Sequence, residues 1–281
     1  MQKTLFLPVG TEYKHMRLTV LLPVYNSAAF IAATMQSILS QTEGDFELLV
    51  LNDGSTDESE QVIRSFSDSR IRYFHHPNMG LVGTLNRGIA EAKGTYIARI
   101  DADDLCLPER FAKQAAWLEA YPQTALVGCF ITFINEQGVE TGTWPADRQN
   151  YTAAQIRQTL PYANCIAHPG IMVRTAVLKQ YLYNPAQQHI EDYDLWLRMQ
   201  AGGEVMEKVP ETLLLYRVHS ASITAVNLKR QNLFFKQFRC KRRFLAARLA
   251  KGAFNGFDAR VVAGMCKDGV TGIAKWIKQR M

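Results

Sequence analysis

The sequence predicts an α/β fold, a mostly parallel sheet flanked by helices, with a basic helical segment at its C-terminal end. Three observations carry this expectation. Short aliphatic runs alternate with amphipathic stretches from residue 18 to about residue 120, the pattern of βαβ units. Polar and turn residues follow those runs where strand ends would lie. Charge then splits the chain: residues 226–281 hold 14 basic and 2 acidic side chains, a balance of +12, whereas residues 1–225 balance at −6.

The elements follow in order. Leu18-Thr-Val-Leu-Leu22 is an aliphatic strand ending at Pro23. Residues 28–41 space Phe30, Ile31, Met35, Ile38 and Leu39 as a helix does. Residues 46–51 form a second strand, stopped by Asn52-Asp53-Gly54. Residues 57–66 read as a helix with Ser55 or Thr56 near its cap. Residues 71–74 are a third strand, 81–92 a helix and 96–100 a fourth strand. Pro108 opens a helix running to about Ala120. His75 and His76, before Pro77, read as surface loop residues.

Composition bounds the function. The 281 residues are 47% hydrophobic and 21% charged, which excludes a wholly disordered chain. The longest apolar run, residues 125–134, is too short to span a bilayer. MQKTLFLPVG resembles a stunted signal peptide, but Glu12, Lys14 and Arg17 follow without a cleavage site, so a cytoplasmic setting is expected. Five scattered cysteines give neither a disulfide framework nor a cysteine zinc site. An acidic body does not suit nucleic acid. Neither a Walker loop nor a dinucleotide-binding glycine motif is present.

Ligands of parallel α/β sheets sit beyond the carboxyl ends of the strands. Three ends carry polar or turn residues: Pro23-Val-Tyr-Asn26, Asp53-Gly-Ser55 and Asp101-Ala-Asp-Asp104. Asp53 alone is explained as a turn residue. Three carboxylates after Ile100 repel one another unless a cation sits among them. Mg²⁺ or Mn²⁺, which takes oxygen ligands and phosphate, meets that need.

Taken together, Thr19-Val-Leu-Leu-Pro-Val-Tyr-Asn26, Leu51-Asn-Asp-Gly-Ser-Thr-Asp57, Asn78-Met-Gly-Leu81, Ile100-Asp-Ala-Asp-Asp104, Glu191-Asp-Tyr-Asp-Leu-Trp196 and Tyr216-Arg-Val-His-Ser220 resemble the family 2 inverting glycosyltransferases. The resemblance implies a GT-A fold over residues 18–225, with a nucleotide-sugar-binding half (18–125) and an acceptor half (126–225). Residues 1–17 are then an N-terminal extension and 226–281 the basic segment. By resemblance, Asp53 accepts a hydrogen bond from uracil, with Pro23 and Tyr25 lining that pocket. Asp101 and Asp103 form the metal- and ribose-binding motif, Asp103 being the direct ligand. Asp192 becomes the general base and Glu191 a supporting acid. His219 lies near the metal or diphosphate, and Arg217 contacts a phosphate. His168 falls in a segment near the acceptor and is assigned no chemistry.

Each role competes with a plainer one. Glu191, Asp192 and Asp194 suit any helix N-terminus. A lone histidine such as His219 is commonly structural, and Arg217 could pair with a surface carboxylate. The expected reaction is metal-assisted transfer from a nucleotide-sugar, a UDP-sugar foremost, to a saccharide or lipid-linked glycan. A sugar nucleotidyltransferase is the first rival, but residues 23–30 contain no Lys or Arg for a triphosphate. A non-catalytic glycan- or membrane-associated protein is the second.

In the basic segment, residues 228–250 predict an amphipathic helix. Leu228, Phe234, Phe235, Phe238, Leu245 and Leu249 fall on one side, and Lys236, Arg239, Lys241, Arg242, Arg243 and Arg248 supply charge. That stripe suits either an anionic bilayer at the inner face of the cell membrane or the acidic body itself. Gly252, Gly256, Gly264, Gly269 and Gly272 predict only short helices beyond it.

Overall fold

A computed structural model describes residues 17–219 and 233–278. Most of the N-terminal extension and residues 228–232 of the predicted basic helix lie outside them. Strands β1 (Leu18–Val24), β2 (Phe46–Asn52), β3 (Ile71–His75) and β4 (Tyr96–Arg99) are parallel in the order β3-β2-β1-β4. Every residue of β1 and β2 is buried. Both faces are therefore covered, which is why these strands read as unbroken aliphatic runs. Helices α1 (Ile31–Leu39), α2 (Ser59–Arg64), α3 (Gly80–Glu91) and α4 (Arg110–Ala120) connect and cover them.

The two expected halves share one sheet. Beyond the short β5 (Leu105–Cys106), β6 (Thr124–Ile134) carries the hairpin strand β7 (Glu140–Thr143), and helices α5 (Pro145–Gln149) and α6 (Ala153–Thr159) follow. Next come β8 (Met172–Arg174), α7 (Thr175–Tyr181), α8 (Glu191–Ala201) and β9 (Val205–Arg217). The sheet continues from β4 as β8-β6-β9-β5. Strand β8 is antiparallel to both β4 and β6. Pairing of β5 with β9 brings the segment after β4 against the end of β9, and this draws Asp103 and Asp104 toward Arg217 and His219.

The basic segment forms two helices, α9 (Leu233–Ala250) and α10 (Gly256–Lys278). Cys240, Phe244, Leu245, Phe257 and Val261 join the core that holds Trp196. Of the predicted stripe of α9, Leu245 is buried in this core, Phe235 and Phe238 lie against Gly272 and Gly269 of α10, and Leu249 is 61% exposed. Lys241 is fully buried in an ion pair with Asp268 at 2.7 Å, and Arg248 pairs with Asp258 at 2.9 Å.

The short helices predicted for the glycine-rich end are corrected to a single 23-residue helix. Its glycines are sites of close approach. A Cβ on Gly264 would lie 2.0 Å from the Pro161 carbonyl oxygen, and one on Gly272 would touch the Phe235 ring at 3.0 Å. A helical glycine costs about 1 kcal/mol relative to alanine, and the packing it permits offsets that cost.

Candidate active site

A clasp between two loops joins the carboxyl ends of β1 and β2. After β1, Asn26 Oδ1 accepts from the Thr56 amide at 2.8 Å, and Asp57 Oδ2 accepts from the Ala28 amide at 3.0 Å. Ser59 Oγ accepts from the Ser27 amide at 2.8 Å. Asp57 also accepts from the Ser59 amide at 3.0 Å. It therefore organises the start of α2, in place of Ser55 or Thr56. Pro23 is buried in β1, while the Tyr25 ring stands half exposed.

Asp53 follows β2 and is 4% exposed. Its Oδ1 accepts from the Met79 amide at 2.7 Å. His76 Nδ1 lies 3.3 Å from the same oxygen, and its Nε2 is buried without a partner. The surface reading of His76 is thus corrected: pairing of β2 with β3 carries His75 outward and turns His76 in behind Asp53. Gly54 makes the tight turn at φ +71°, where a Cβ would meet the Asn78 amide at 2.8 Å.

The acidic loop after β4 separates its three carboxylates. Asp101 forms a two-bonded ion pair with buried Arg99, whose own carbonyl accepts from buried Arg110 at 2.7 Å. Asp104 is 1% exposed, and its Oδ1 accepts from the Arg217 amide at 2.8 Å. Burial, then the charges of Asp101 and Asp103, hold the Asp104 carboxyl well above the usual range. Thr34 Oγ1 on α1 lies 2.8 Å from the Asp104 carbonyl oxygen and fixes the loop from below. Asp103 alone turns to His219, with Oδ2 2.9 Å from Nε2.

Among the described residues, Asp101, Asp103 and Asp104 form a group able to hold a metal, with ligand atoms within 4.8 Å of one another. The Asp103–His219 separation also fits. Neighbouring ligand atoms of an octahedral ion with bonds of about 2.1 Å lie roughly 3 Å apart.

Arg217 is held by backbone carbonyls. Its Nε donates to the Asp103 carbonyl at 2.8 Å, and Nη1 donates to the carbonyls of Asn135 and Glu136 at 2.8 and 2.9 Å. The guanidinium stacks on Phe30 at 4.9 Å, and the residue is 5% exposed. It clamps the acidic loop to the β6–β7 turn. Phe30 also meets the His219 ring at 4.9 Å.

The second acidic run opens α8. Asp192 is half-buried; its Oδ2 accepts from Asn164 Nδ2 at 2.7 Å and its Oδ1 from the Tyr193 amide at 2.7 Å. Asn164 is itself fixed, its Oδ1 accepting from the Ile166 amide at 3.1 Å. Glu191 is buried beside it. Burial first, then the Asp192 charge, push its carboxyl up to about 7. Burial likewise raises the Asp192 carboxyl. Asp194 faces the other way, 2% exposed, bonded by Arg198 at 2.7 Å and Gln187 at 3.3 Å.

The two runs converge. Among the influences on the Asp101 carboxyl, which burial raises most, are the charges of both Asp103 and Asp192. His168, buried and kept neutral by that burial, bonds Tyr183 OH at 2.7 Å and borders Trp196. A hollow of about 480 Å³ lined by Phe130, Arg148, Tyr151, Pro210, Glu211 and Thr212 contains none of these residues. The carboxylate chemistry, not that hollow, marks the site.

The sequence signal for the supporting residues was thin. Arg99 precedes the acidic run by two positions, but a lone arginine in a strand carries no message. Asn164 lies in a loop far from Asp192 in sequence.

The chain is similar to known proteins in sequence and in fold. The sequence profile of the glycosyl transferase family 2 matches residues 19–182. The O-antigen biosynthesis glycosyltransferase WbnJ of Escherichia coli is 30% identical over 210 residues, 73% of this chain and 81% of its own length. An uncharacterised glycosyltransferase of Methanocaldococcus jannaschii is 28% identical over 221 residues, 77% of this chain and 76% of its own. Among solved structures, S. aureus TarS residues 1–349 in complex with UDP superposes with a TM-score of 0.62 at 18% identity, covering 82% of this chain and 65% of that one. A mannosyltransferase of Pyrobaculum calidifontis in complex with GDP-Man and Mn²⁺ gives 0.62 at 17% identity, over 92% of this chain and 87% of that one. The fold is that of the GT-A glycosyltransferases. With its profile match and its relatives, the chain belongs to glycosyl transferase family 2.

Proposed function

We propose that the protein is an inverting glycosyltransferase. It moves a hexosyl or N-acetylhexosaminyl group from a nucleotide-sugar, a UDP-sugar foremost, to a hydroxyl of a saccharide or lipid-linked glycan. The observation that carries this reading is the pairing of two unlike sites: an Asp103–His219 pair beyond β4 and an anchored, half-buried Asp192 at the start of α8. The solved neighbours in complex with UDP and with GDP-Man and Mn²⁺ support a nucleoside diphosphate donor.

In this reading Tyr25 and Pro23 flank the nucleobase and Asp53 accepts its N–H. The Met79 amide occupies Asp53 Oδ1 and leaves Oδ2 for that bond. Asp103 and His219 would hold the divalent ion. A site mixing imidazole with carboxylate favours Mn²⁺ over Mg²⁺. When bound, the ion neutralises charge that grows on the diphosphate. Asp101, tied to Arg99, keeps the loop in place and faces the ribose.

Asp192 takes the proton of the acceptor hydroxyl as its oxygen forms the bond to the anomeric carbon. The bond from that carbon to the diphosphate oxygen breaks, and its electron pair leaves with the nucleoside diphosphate. A single displacement inverts the anomeric centre, by the logic that separates inverting from retaining glycosidases. The raised Glu191 and Asp192 carboxyls place the base nearer neutral pH, where proton transfer is efficient. The proposed setting is the cytoplasmic side of the cell membrane.

The test is a panel of UDP- and GDP-sugars with Mn²⁺, scored for nucleoside diphosphate release and for product anomeric configuration by NMR. Mn²⁺-dependent release with inversion is the expected result. Retention of configuration, or turnover of a nucleoside triphosphate with sugar phosphate instead, overturns it.

A further inference from the structure

Helix α10 is apolar on two faces. Its inner face, with Phe257, Val261 and Gly264, packs on the body. At 100° per residue, Ala259, Val262, Ala263, Cys266, Val270 and Ile273 share the opposite face. All six are exposed, Val270 at 71% and Ile273 at 53%. A helix apolar all round belongs in a core or against another apolar phase. Among the described residues, this one has a core on one side only.

The charges around it are of one sign. The only acids of residues 226–281 are Asp258 and Asp268, and both are buried in ion pairs with Arg248 and Lys241. Every exposed ionic side chain described on the two helices and the turn between them is therefore a cation: Arg239, Arg242, Arg243, Lys251, Lys267 and Lys275. Lys267 and the half-buried Arg260 border the apolar face along one edge of α10.

We propose that the outer face of α10 docks the protein on an anionic lipid bilayer. An apolar face bordered by cations with no exposed acid complements acyl chains beneath anionic headgroups. A second copy of the chain fits less well, because joining two such faces sets cation against cation. The docking surface is also not the one expected from sequence. Leu245 of the α9 stripe is buried in the core and Phe235 and Phe238 face α10, so the bilayer meets α10.

The full-length protein is sedimented with vesicles of phosphatidylcholine alone and of phosphatidylcholine mixed with phosphatidylglycerol. The wild type should bind only the anionic vesicles and be released by salt. R260Q/K267Q should lose roughly fivefold in partitioning per cation removed. V270D/I273D should lose binding entirely while keeping its thermal transition and its nucleoside diphosphate release in solution. Absence of wild-type binding, equal binding to both vesicles, or V270D/I273D binding as wild type overturns the proposal. So does a concentration-dependent dimer by light scattering that V270D/I273D abolishes, since a second copy then covers the face.

Discussion

The loop after β4 and the first turn of α8 solve the same problem differently. Each crowds three carboxylates into four residues, Asp101, Asp103 and Asp104 in one and Glu191, Asp192 and Asp194 in the other. In the loop, a strand end sends Asp101 back onto Arg99, Asp104 down onto the Arg217 amide and Asp103 out to His219. In the helix, two positions turn the chain by about 200°, so Asp192 faces the site while Asp194 faces Arg198. In the proposed reading the working carboxylates are Asp103, which faces His219, and Asp192, which Asn164 holds, while Asp101 and Asp194 are tied to Arg99 and Arg198.

The helix half of that comparison is broken most sharply by exchanging its two aspartates. Asp192→Asn should lower turnover by about 10²–10⁴-fold, the usual cost of removing a general base. Asp194→Asn should retain turnover and lose about 1–3 kcal/mol of stability, because Arg198 loses a charged partner at a buried contact. Turnover and thermal melts of both variants decide it. A dead Asp194→Asn beside an active Asp192→Asn reverses the roles.

On the loop side, His219→Ala should raise the Mn²⁺ concentration needed for half-maximal activity by tenfold or more, taking about 1.4 kcal/mol as a tenfold change. Titrating activity against Mn²⁺ measures this. An unchanged requirement assigns His219 to the plainer structural role.

Much of this layout was legible in the chain. Continuous aliphatic runs marked β1 and β2, because burial on both faces removes alternation. Asp53 and Asp103 were legible as strand-end carboxylates. What was hidden depends on contacts between distant segments. His76 reads as loop until β2–β3 pairing turns it behind Asp53. Arg217 reads as a partner for phosphate or a surface carboxylate, and its bonds to the β6–β7 turn carbonyls exist only once that turn is in place. Gly264 and Gly272 read as helix breakers until Pro161 and Phe235 occupy the space a side chain would fill. Asn164 carries no signal at all, since its role exists only once Asp192 stands 2.7 Å away.

Asn164 sharpens the helix side further. Asn164→Ala should reduce kcat by about tenfold with little change in donor KM, because the amide orients the base and does not touch the nucleotide. Asn164→Asp should shift the acidic limb of the pH–rate profile upward, since a second charge disfavours ionisation of Asp192. A profile unmoved by Asn164→Asp removes Asn164 from the mechanism.

The last effect concerns stability and leaves turnover aside. Glu191 titrates at about 7 in the folded protein against an ordinary 4.5. The folded state therefore binds the extra proton between those values, and stability falls as pH rises through that window. Glu191→Gln should accordingly stabilise the protein by about 1–3 kcal/mol at pH 8 and leave it unchanged at pH 4. Equal melting shifts at both pH values would show that burial of Glu191 is not what the substitution relieves.

The separation of the two runs into a donor site and an acceptor base is tested most directly by calorimetry. UDP is titrated, with and without Mn²⁺, into wild type, Asp103→Asn and Asp192→Asn. The account predicts that Asp103→Asn loses the Mn²⁺-dependent part of the affinity while Asp192→Asn binds as wild type. Loss of that affinity in Asp192→Asn with its retention in Asp103→Asn would contradict it.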